Sequence, residues 1–389
     1  MSSKYDAIIV GGGIVGASTA YYLARLGVRR VLLIEKNAPA AGGTGKSAAI
    51  VRQHYSTRLM ARLALQSVEI FETMKSEFEA PNVFFQTGYH MLVPPELLKA
   101  AKKNVECQQE VGVDTEWVDE TTWAEHWPWL NPRGIAGVVY EPRGGHADPI
   151  RSTELFLKQF RRLGGEVRLK TAARGLLRDG DRVTGVVLDS GDVYAGTVVN
   201  AAGPWSKNLA EGAGIELNMR IVREQDSIWE PREGRPVPQN PISNAVDAIY
   251  SVPQEGGRIL IGQGFPKDYF DVDPNNYKET GEDAFASLIS DRAEYRYPGL
   301  QGMRLIHCYA TLYDVAVDWY PYVGPRAGLD GYVDANGGSG HGFKIAPAIG
   351  RELANWIVTG APADDFRQLS HDRIAAGTLF SGAYGGNRG

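Results

Sequence analysis

A glycine-rich turn near the start of the chain constrains the fold more than any other stretch. Residues 5–10 form an apolar run, and Gly11, Gly13 and Gly16 follow it in the spacing G-x-G-x-x-G. In this spacing the first glycine permits a tight turn and the second lets a pyrophosphate approach the backbone. The third lets the next helix pack closely on the strand. The stretch predicts a strand, a phosphate-binding turn and a helix N-terminus that faces the phosphates.

The residues after the turn complete a βαβ pattern. A helical pattern covers residues 17–26, and an apolar strand over residues 31–34 ends at Glu35. An acid at this position binds a ribose hydroxyl, and it argues against a 2′-phosphate. The unit therefore predicts FAD or NAD rather than NADP.

Length and composition set the broad class of protein. The 389 residues are too many for one ordinary core and indicate two domains. The net charge of −5 gives no bulk attraction to nucleic acid or to an anionic membrane. Cys107 and Cys308 offer no disulfide framework and fit a reducing cytoplasm, and the seven histidines show no metal-ligand spacing. Residues 7–24 lack charge, but four glycines interrupt them, so we expect no membrane anchor.

Two later stretches and one arginine are candidates for ligand contact. Residues 198–206 read as a buried strand and a small-residue turn, which is either a tight crossover or a place of close ligand approach. Residues 332–360 read as a strand, a glycine turn and a helix whose N-terminus can face an anion. Lys344, where that turn meets the helix, is either a surface lysine or a ligand. Arg52 stands in an otherwise uncharged stretch and is either an ion-pair partner or a ligand.

The rest of the chain is read from periodicity and turn residues. Residues 83–94 predict a hairpin-like pair of strands, and residues 148–163 predict a helix that begins at an Asp-Pro pair. Residues 216–323 predict a mostly antiparallel sheet, interrupted by a helix at about 279–292. Residues 376–389 are rich in glycine and small residues, and they predict a flexible tail.

Taken in order, three motifs resemble those of the D-amino-acid oxidase superfamily of flavoproteins. They are the N-terminal G-x-G-x-x-G with Glu35, the run VVNAAGPW at residues 198–205, and the run GSGHGFKIAPAIGR at residues 338–351. Within that superfamily the chain is most similar to the branch of sarcosine oxidase, dimethylglycine dehydrogenase and glycine oxidase. The resemblance covers nearly the whole chain, and the late motif is its most specific part.

The resemblance implies an α/β fold that binds FAD rather than NAD. It implies a Rossmann-like FAD-binding domain and a mostly antiparallel β-sheet substrate domain that covers the flavin. The expected FAD-binding domain is discontinuous, with residues 1–85, 146–215 and 324–375, and the substrate domain has residues 86–145 and 216–323.

The resemblance also implies site residues. Arg52, in an Arg-x-x-Tyr pattern, and Lys344 would hold a substrate carboxylate, and Tyr250 and Tyr313 would line the substrate pocket. The residues expected at the cofactor are Gly11, Gly13, Ile14, Val15, Gly16, Glu35, Lys36, Thr44, Gly45, Lys46, Ser47, Ala173, Ala202, Gly203, Trp205, Gly338, Ser339, Gly340, His341, Gly342, Phe343 and Lys344.

The chain departs from the family pattern at three positions that bear on the flavin and the substrate. A cysteine that carries flavin covalently would fall at Thr311, three positions from Cys308, so we expect non-covalent FAD. A lysine that helps oxygen react would fall near Leu260, and a pocket histidine would fall at about Gly264. The sequence therefore does not decide between an oxidase and a dehydrogenase, and it does not define the amine end of the substrate.

The resulting hypothesis is an FAD-dependent oxidation of the C–N bond of a small amino acid, by hydride transfer to flavin N5. The electron acceptor would be O₂ or an electron-transfer partner, and no side-chain base is visible in the sequence. One alternative is a 2-hydroxy-acid dehydrogenase on the same fold, which the same two cations would serve. A second is the flavin subunit of a heteromeric complex similar to sarcosine oxidase. The sequence leaves the substrate and the oligomeric state open.

Overall fold

The computed structural model describes residues 4–119, 122–123, 127–363 and 365–384. Helix α1 follows the first glycine turn directly, and Gly13 is its N-cap residue. Asp148 caps α4 by accepting bonds from the amides of Ile150 and Arg151, as the Asp-Pro pair predicts. The helices include α1 Ile14–Arg25, α2 Arg58–Glu77, α3 Leu98–Gln109, α4 Pro149–Arg162, α5 Ser206–Glu211, α6 Asp283–Arg296, α7 Gly342–Thr359 and α8 Asp372–Ala376.

The strands fall into two large sheets and one small one. They are β1 Lys4–Val10, β2 Val31–Ile34, β3 Ile50–Val51, β4 Phe84–Phe85, β5 Tyr89–Val93, β6 Glu116–Asp119, β7 Gly137–Glu141, β8 Gly145–Ala147, β9 Glu166–Arg168, β10 Ala173–Asp179, β11 Arg182–Leu188, β12 Val193–Asn200, β13 Met219–Glu230, β14 Ile242–Asn244, β15 Ile249–Gln254, β16 Arg258–Gln263, β17 Arg304–Ala316, β18 Tyr322–Arg326 and β19 Leu329–Asn336.

The first sheet has the order β10-β11-β19-β12-β1-β2-β9, with β18 paired to β19. The neighbours from β19 to β9 run parallel to one another. Ala7 and Ile9 pack into one hydrophobic core, while Ile8 and Val10 pack into another on the opposite face. A parallel sheet buried on both faces explains why β1 is an uninterrupted apolar run.

The second sheet has the order β17-β13-β16-β15-β14-β5-β7-β6, and β3-β8-β4 form the small sheet. All neighbours in the second sheet are antiparallel except β14 and β5. The predicted mixed α/β fold with a mostly antiparallel second sheet is confirmed. Within the described residues, no helix combines the length and the hydropathy needed to cross a bilayer.

Some local predictions were wrong. Residues 83–94 do not form a hairpin, because β4 pairs with β8 whereas β5 pairs with β7 and β14. Gly88, at φ +81°, carries the chain from the small sheet to the second sheet. The strand β10 was not predicted, and the helix expected at about 279–292 lies a few residues later, at Asp283–Arg296.

The tail expected after residue 376 makes contacts with the rest of the chain as far as the structure describes it. The ring of Phe380 stacks on that of Tyr320 with centroids 4.5 Å apart. Tyr384 is buried, with 7% of its surface exposed. Composition did not predict the contact of Phe380 with Tyr320, because the two residues lie far apart in sequence.

Helices α1 and α7 are in direct contact at a glycine. A Cβ placed on Gly350 would lie 2.3 Å from Ser18 Oγ and 2.7 Å from the backbone nitrogen of Thr19. The Ser18 hydroxyl also donates a hydrogen bond to the Ala346 carbonyl at 3.0 Å. The close contact therefore fixes the spacing of the two helices.

We expect Gly350→Ala to destabilise the protein by ~1–3 kcal/mol, because a methyl group there must push α1 and α7 apart. Urea unfolding monitored by circular dichroism gives the measurement. Gly212→Ala is the matched control, since Gly212 has φ −62° and nothing lies within 4 Å of its added Cβ. Equal unfolding midpoints for the two variants would contradict the assigned packing role of Gly350.

Candidate active site

A cavity of about 480 Å³ lies at the carboxyl ends of β1, β2, β12 and β19. This edge is where open parallel sheets bind ligands. Gly11 has φ +118°, and a Cβ on it would lie 2.2 Å from the Ala201 carbonyl oxygen. A Cβ on Gly13 would lie 3.0 Å from Thr44 Oγ1. The turn therefore keeps the N-terminus of α1 open to the cavity, as phosphate binding requires.

Most residues predicted at the cofactor do line this cavity. Glu35 is held in place because its Oε2 accepts from the Gly12 amide at 2.7 Å and its Oε1 from the Asn37 amide at 2.8 Å. The Lys36 amine lies 3.2 Å from the centroid of the Trp205 ring. The lining residues among those predicted are Gly11, Gly13, Ile14, Val15, Glu35, Lys36, Thr44, Ser47, Ala173, Ala202, Gly203, Trp205, Gly338, Gly340, Gly342 and Phe343.

Six predicted cofactor residues do not line the cavity, and two of them, His341 and Lys344, line a second cavity that adjoins it. A Cβ on Gly16 would lie 2.0 Å from the Gly11 carbonyl oxygen, and one on Gly45 would lie 2.5 Å from that of Ala40, so both permit backbone packing. The Lys46 amine instead donates to Glu279 Oε2 at 2.7 Å and to the Ala310 carbonyl at 3.2 Å. The Ser339 hydroxyl accepts from the Ala316 amide at 3.0 Å. These residues support the cavity wall.

Asp314, which the sequence did not identify, ties the late glycine turn to the second sheet. One of its carboxylate oxygens accepts from the amides of Gly337 and Gly338, at 2.7 and 3.2 Å. Burial raises the pKa of Asp314, and the two amides act in the opposite direction. This contact holds the N-terminus of α7 beside β17.

A second cavity of about 150 Å³ adjoins the first, and Ser47, Tyr313 and Gly340 line both. A Cβ on Gly340, at φ +76°, would lie 2.5 Å from the Tyr313 ring. Glycine is therefore required for Tyr313 to stand between the two spaces. Arg52, Tyr250 and Lys344 also line the second cavity, so these three meet Tyr313, the fourth residue predicted at the substrate, there. His341, which was predicted at the cofactor, lines the second cavity as well.

The two predicted anion ligands are buried cations. Arg52 is 8% exposed and Lys344 7% exposed. Burial lowers the pKa of Lys344 well below its ordinary value, and the charge of Arg52 lowers it further. Among the described residues, neither side chain forms an ion pair. Two buried cations beside one small cavity favour an anionic ligand, because an anion restores the charge balance that burial removes.

A tyrosine–carboxylate pair lies across the same cavity. The Tyr250 hydroxyl donates to Asp226 Oδ1 at 2.6 Å, and Asp226 is 2% exposed. Burial raises the pKa of Asp226 to about 6, although the hydrogen bond from Tyr250 and the charge of Lys267 oppose this shift. A Cβ on Gly262 would lie 2.3 Å from both Tyr250 Oη and Asp226 Oδ1. Gly262 therefore makes room for the pair.

Beside this pair, Lys267 lines the cavity and forms a buried ion pair with Glu224. The Lys267 amine also donates to the Gln263 carbonyl at 2.8 Å. The sequence contained a signal for these acids, since Glu224 and Asp226 are two positions apart on β13 and so face the same side. Their burial could not be read from that spacing.

Residues from distant segments support Arg52 from behind the cavity. Arg52 donates from Nη1 to the His54 carbonyl oxygen, and the Gln53 amide donates to Glu141 Oε2 at 2.6 Å. Glu141 is fully buried, and burial raises its pKa to about 7 against the opposing effects of the Gln53 amide and Arg52. Burial and the charge of Arg52 lower the pKa of His54 to about 3, so this imidazole is neutral.

Both cysteines are free, and neither Cys308 nor Thr311 lines either cavity. Cys308 packs against Gly281, where an added Cβ would lie 2.0 Å from the sulfur. Thr311 is 2% exposed. Neither position therefore presents a thiol to the cofactor cavity.

A glycine turn before α1, a second helix N-terminus at α7 and an adjoining cavity lined by two buried basic side chains are the features of a dinucleotide-dependent enzyme. The chain belongs to the family of FAD-dependent oxidoreductases (DAO), which matches residues 6–356. FAD is the cofactor of this family, and the glycine cradle and the two open helix N-termini fit it.

Relatives of known activity match along nearly the whole chain. The chain is 31% identical to 4-methylaminobutanoate oxidase (formaldehyde-forming) of Paenarthrobacter nicotinovorans over 95% of this chain, but it spans only 45% of that protein. It is 28% identical to sarcosine oxidase subunit beta of an Arthrobacter species, over 97% of this chain and 92% of that subunit. The solved structure of L-proline dehydrogenase from P. horikoshii superposes with a TM-score of 0.89 at 27% identity, covering 98% and 100% of the two chains.

Glu141 makes stability depend on pH. Its pKa rises from 4.5 to about 7 on folding, so the unfolded chain releases the proton first as pH increases. The contribution of Glu141 to stability is therefore lost between pH 4.5 and 7, by ~3 kcal/mol at 1.36 kcal/mol per unit. Glu141→Gln keeps an oxygen for the Gln53 amide and removes the titration.

We expect the free energy of unfolding of Glu141→Gln, relative to wild type, to increase by ~3 kcal/mol from pH 4.5 to pH 8. Urea unfolding at both pH values measures it. Glu233→Gln, at an exposed glutamate, is the control and should run parallel to wild type. Parallel curves for Glu141→Gln as well would show that Glu141 is not held protonated by burial.

Proposed function

We propose that this protein oxidises the C–N bond of a small amino acid whose nitrogen is secondary, tertiary or cyclic. The observation that carries the proposal is the pair of buried cations, Arg52 and Lys344, in a cavity of about 150 Å³ that shares Tyr313 with the cofactor cavity. A cavity of this size suits a substrate of a few heavy atoms. The relatives named as oxidising methylaminobutanoate, sarcosine and proline support the choice of an amine.

The proposed cofactor contacts follow the cavity. The turn Gly11 to Gly16 and the N-terminus of α1 would hold the pyrophosphate, and Glu35 would hold the adenosine ribose. Residues 338–343 and the N-terminus of α7 would hold the flavin end. When bound, FAD supplies the group that accepts a hydride, and with it two electrons, from the substrate carbon. Because Cys308 packs on Gly281, we propose that FAD is bound non-covalently.

The proposed domain division follows the sheets. Residues 1–85, 146–215 and 324–375 would form the FAD-binding domain, and residues 86–145 and 216–323 the substrate domain. The first sheet draws its strands from the first set of segments, apart from Tyr322 and Val323 at the start of β18, and the second sheet draws its strands from the second set. The substrate would then bind where Arg52 and Lys344 of one domain face Tyr250 and Tyr313 of the other.

Arg52 and Lys344 would divide the work of anchoring the substrate. The planar guanidinium of Arg52 offers two parallel donors to a carboxylate, whereas the Lys344 amine offers a point charge. Holding the carboxylate fixes the α-carbon, and most of the rate enhancement comes from that positioning. Tyr313 would exclude water from the space between the substrate and the cofactor.

Tyr250 and Asp226 would take up the amine proton. A substrate ammonium must lose a proton before its nitrogen lone pair can assist departure of the hydride from carbon. Tyr250 Oη would accept that proton while its own hydrogen passes to Asp226 Oδ1, 2.6 Å away. The product would leave as an imine and hydrolyse in water to an amine and a carbonyl compound.

Two alternatives use the same residues. A 2-hydroxy acid also carries a carboxylate for Arg52 and Lys344, so the cations do not separate it from an amino acid. The match to a sarcosine oxidase subunit favours the second alternative, a role inside a heteromeric complex. We also propose a cytoplasmic location, because Cys107 and Cys308 are free thiols.

A panel of candidate substrates tests the function. We expect anaerobic mixing with sarcosine, N,N-dimethylglycine, 4-methylaminobutanoate or L-proline to bleach the flavin absorbance with at least one compound. Arg52→Gln should lower kcat/KM for that compound ~10- to 100-fold, because a buried charge-assisted hydrogen bond is lost. Admitting air and timing reoxidation distinguishes O₂ from another acceptor.

Arg220→Gln, at an exposed arginine that pairs with Asp271, is the matched control and should retain wild-type rates. Bleaching by 2-hydroxyglutarate alone would favour the hydroxy-acid alternative. Failure of every compound with a fully flavin-loaded chain would reject catalysis by the isolated protein.

The role of Asp226 predicts a pH limb. A carboxyl group of pKa about 6 can accept a proton only above that pH, so the bleaching rate should rise with pH through about 6 in wild type. Asp226→Asn keeps the acceptor oxygen for Tyr250, yet it should lose this limb and slow bleaching ~100-fold at pH 7. Asp268→Asn, at an exposed aspartate, is the control. An unchanged limb in Asp226→Asn would exclude Asp226 as the proton acceptor.

A further inference from the structure

After α8 the chain returns to the loop that carries Arg52. Residues 378–384, named here the strap, follow Gly377, which has φ +69° and ends α8. The strap contains neither helix nor strand, yet the Phe380 amide donates to Asp318 Oδ2 at 3.2 Å. Arg373 forms a buried ion pair with the same Asp318 at 2.8 Å. The strap is thereby fixed at its start, and it leads to Tyr384.

Tyr384 reaches the loop that carries Arg52. Its hydroxyl oxygen lies 2.8 Å from His54 Nε2, and the two rings stack with centroids 5.6 Å apart at an interplanar angle of 22°. Both side chains are buried, with 7% and 1% of their surface exposed. This contact joins residues 330 positions apart and ties the strap to the loop that carries Arg52.

The hydrogen-bond partners fix the direction of this contact. Gln108 Nε2 lies 3.0 Å from His54 Nδ1 and 3.0 Å from the Tyr55 carbonyl oxygen. A carbonyl only accepts, so the Gln108 amide nitrogen donates to both, and Nδ1 is the acceptor. His54 is neutral because burial and Arg52 lower its pKa to about 3. Its one N–H is therefore on Nε2, and the Tyr384 oxygen accepts from it.

His54 in turn holds Arg52. The Arg52 guanidinium donates to the His54 carbonyl oxygen, and its carbon lies 4.9 Å from the Tyr55 ring centroid. The His54 ring is held by Gln108 on one side and by Tyr384 on the other. Removing the Tyr384 oxygen would leave a buried N–H without its acceptor, and the loop would shift to satisfy it. The Arg52 fork would move with that loop.

We propose that Tyr384 is a positioning residue, which the strap carries to His54 so that Arg52 is held in place for the substrate carboxylate. The inference rests on the proposed function, because it takes Arg52 to be the carboxylate anchor. It assigns to the last described residues a role in substrate affinity that their composition did not indicate.

Acetate, a carboxylate without an amine, is the probe. Its dissociation constant is measured by titrating the full-length holoenzyme and following the visible absorbance. We expect Tyr384→Phe to weaken acetate binding ~5- to 10-fold, about the effect of one buried hydrogen bond left unmade. With the amine substrate found in the panel, KM should rise by a similar factor while kcat changes less than twofold. Tyr194→Phe, at an exposed tyrosine on β12, is the matched control.

A double-mutant cycle separates positioning through Arg52 from general support of the fold. In an Arg52→Gln background, Tyr384→Phe should cause no further loss of acetate affinity. Equal losses in both backgrounds, or no loss in Tyr384→Phe alone, would overturn the role of the strap. If Arg52→Gln itself leaves acetate affinity unchanged, the carboxylate anchor of the proposed function is refuted, and this inference with it.

Discussion

The close contact of α1 with α7 sets the geometry on which the rest of this protein depends. Strands β19, β12 and β1 are adjacent and parallel, so the helices that follow β19 and β1 begin at the same edge of the sheet. Gly350 lets the two helices touch at Ser18. The two positive helix ends are thereby held at one spacing, which suits a cofactor with a pyrophosphate at one place and a flavin at another.

The second sheet converts this cofactor site into a substrate site. Asp314 joins β17 to the glycine turn before α7, so the wall that carries Tyr313 is held against the flavin end of the cavity. Arg52, Lys344 and Tyr250 line the small cavity, and Tyr250 is hydrogen-bonded to the buried Asp226. Arg52 and Lys344 suit a carboxylate, while Tyr250 and Asp226 suit the amine proton. An amino acid presents both groups, which supports the proposed substrate class.

Buried polar groups at this site find their hydrogen-bond partners far away in sequence. Arg52 depends on a loop whose partners are Glu141 on β7, Gln108 on α3 and Tyr384 in the strap. Each of these is a buried polar group, and each costs stability unless it is hydrogen-bonded. Burying these polar groups at the proposed substrate site therefore costs part of the stability that the apolar cores provide. That cost is consistent with a binding site that holds two basic side chains close together before its ligand arrives.

The sequence by itself determined the cofactor half of the protein. Gly11, Gly13 and Glu35 identify a dinucleotide site because their roles depend on local backbone geometry, which spacing along the chain encodes. Family resemblance extended this to FAD and brought Arg52 and Lys344 forward as ligands. Only the tertiary structure revealed Asp226, Asp314 and Tyr384, because their roles come from burial and from partners in other segments. It also showed that the Lys46 amine donates to Glu279 instead of lining the cofactor cavity, and that Tyr384 of the expected tail contacts His54. Local motifs are readable from sequence, whereas long-range contacts and the pKa values that burial produces are not.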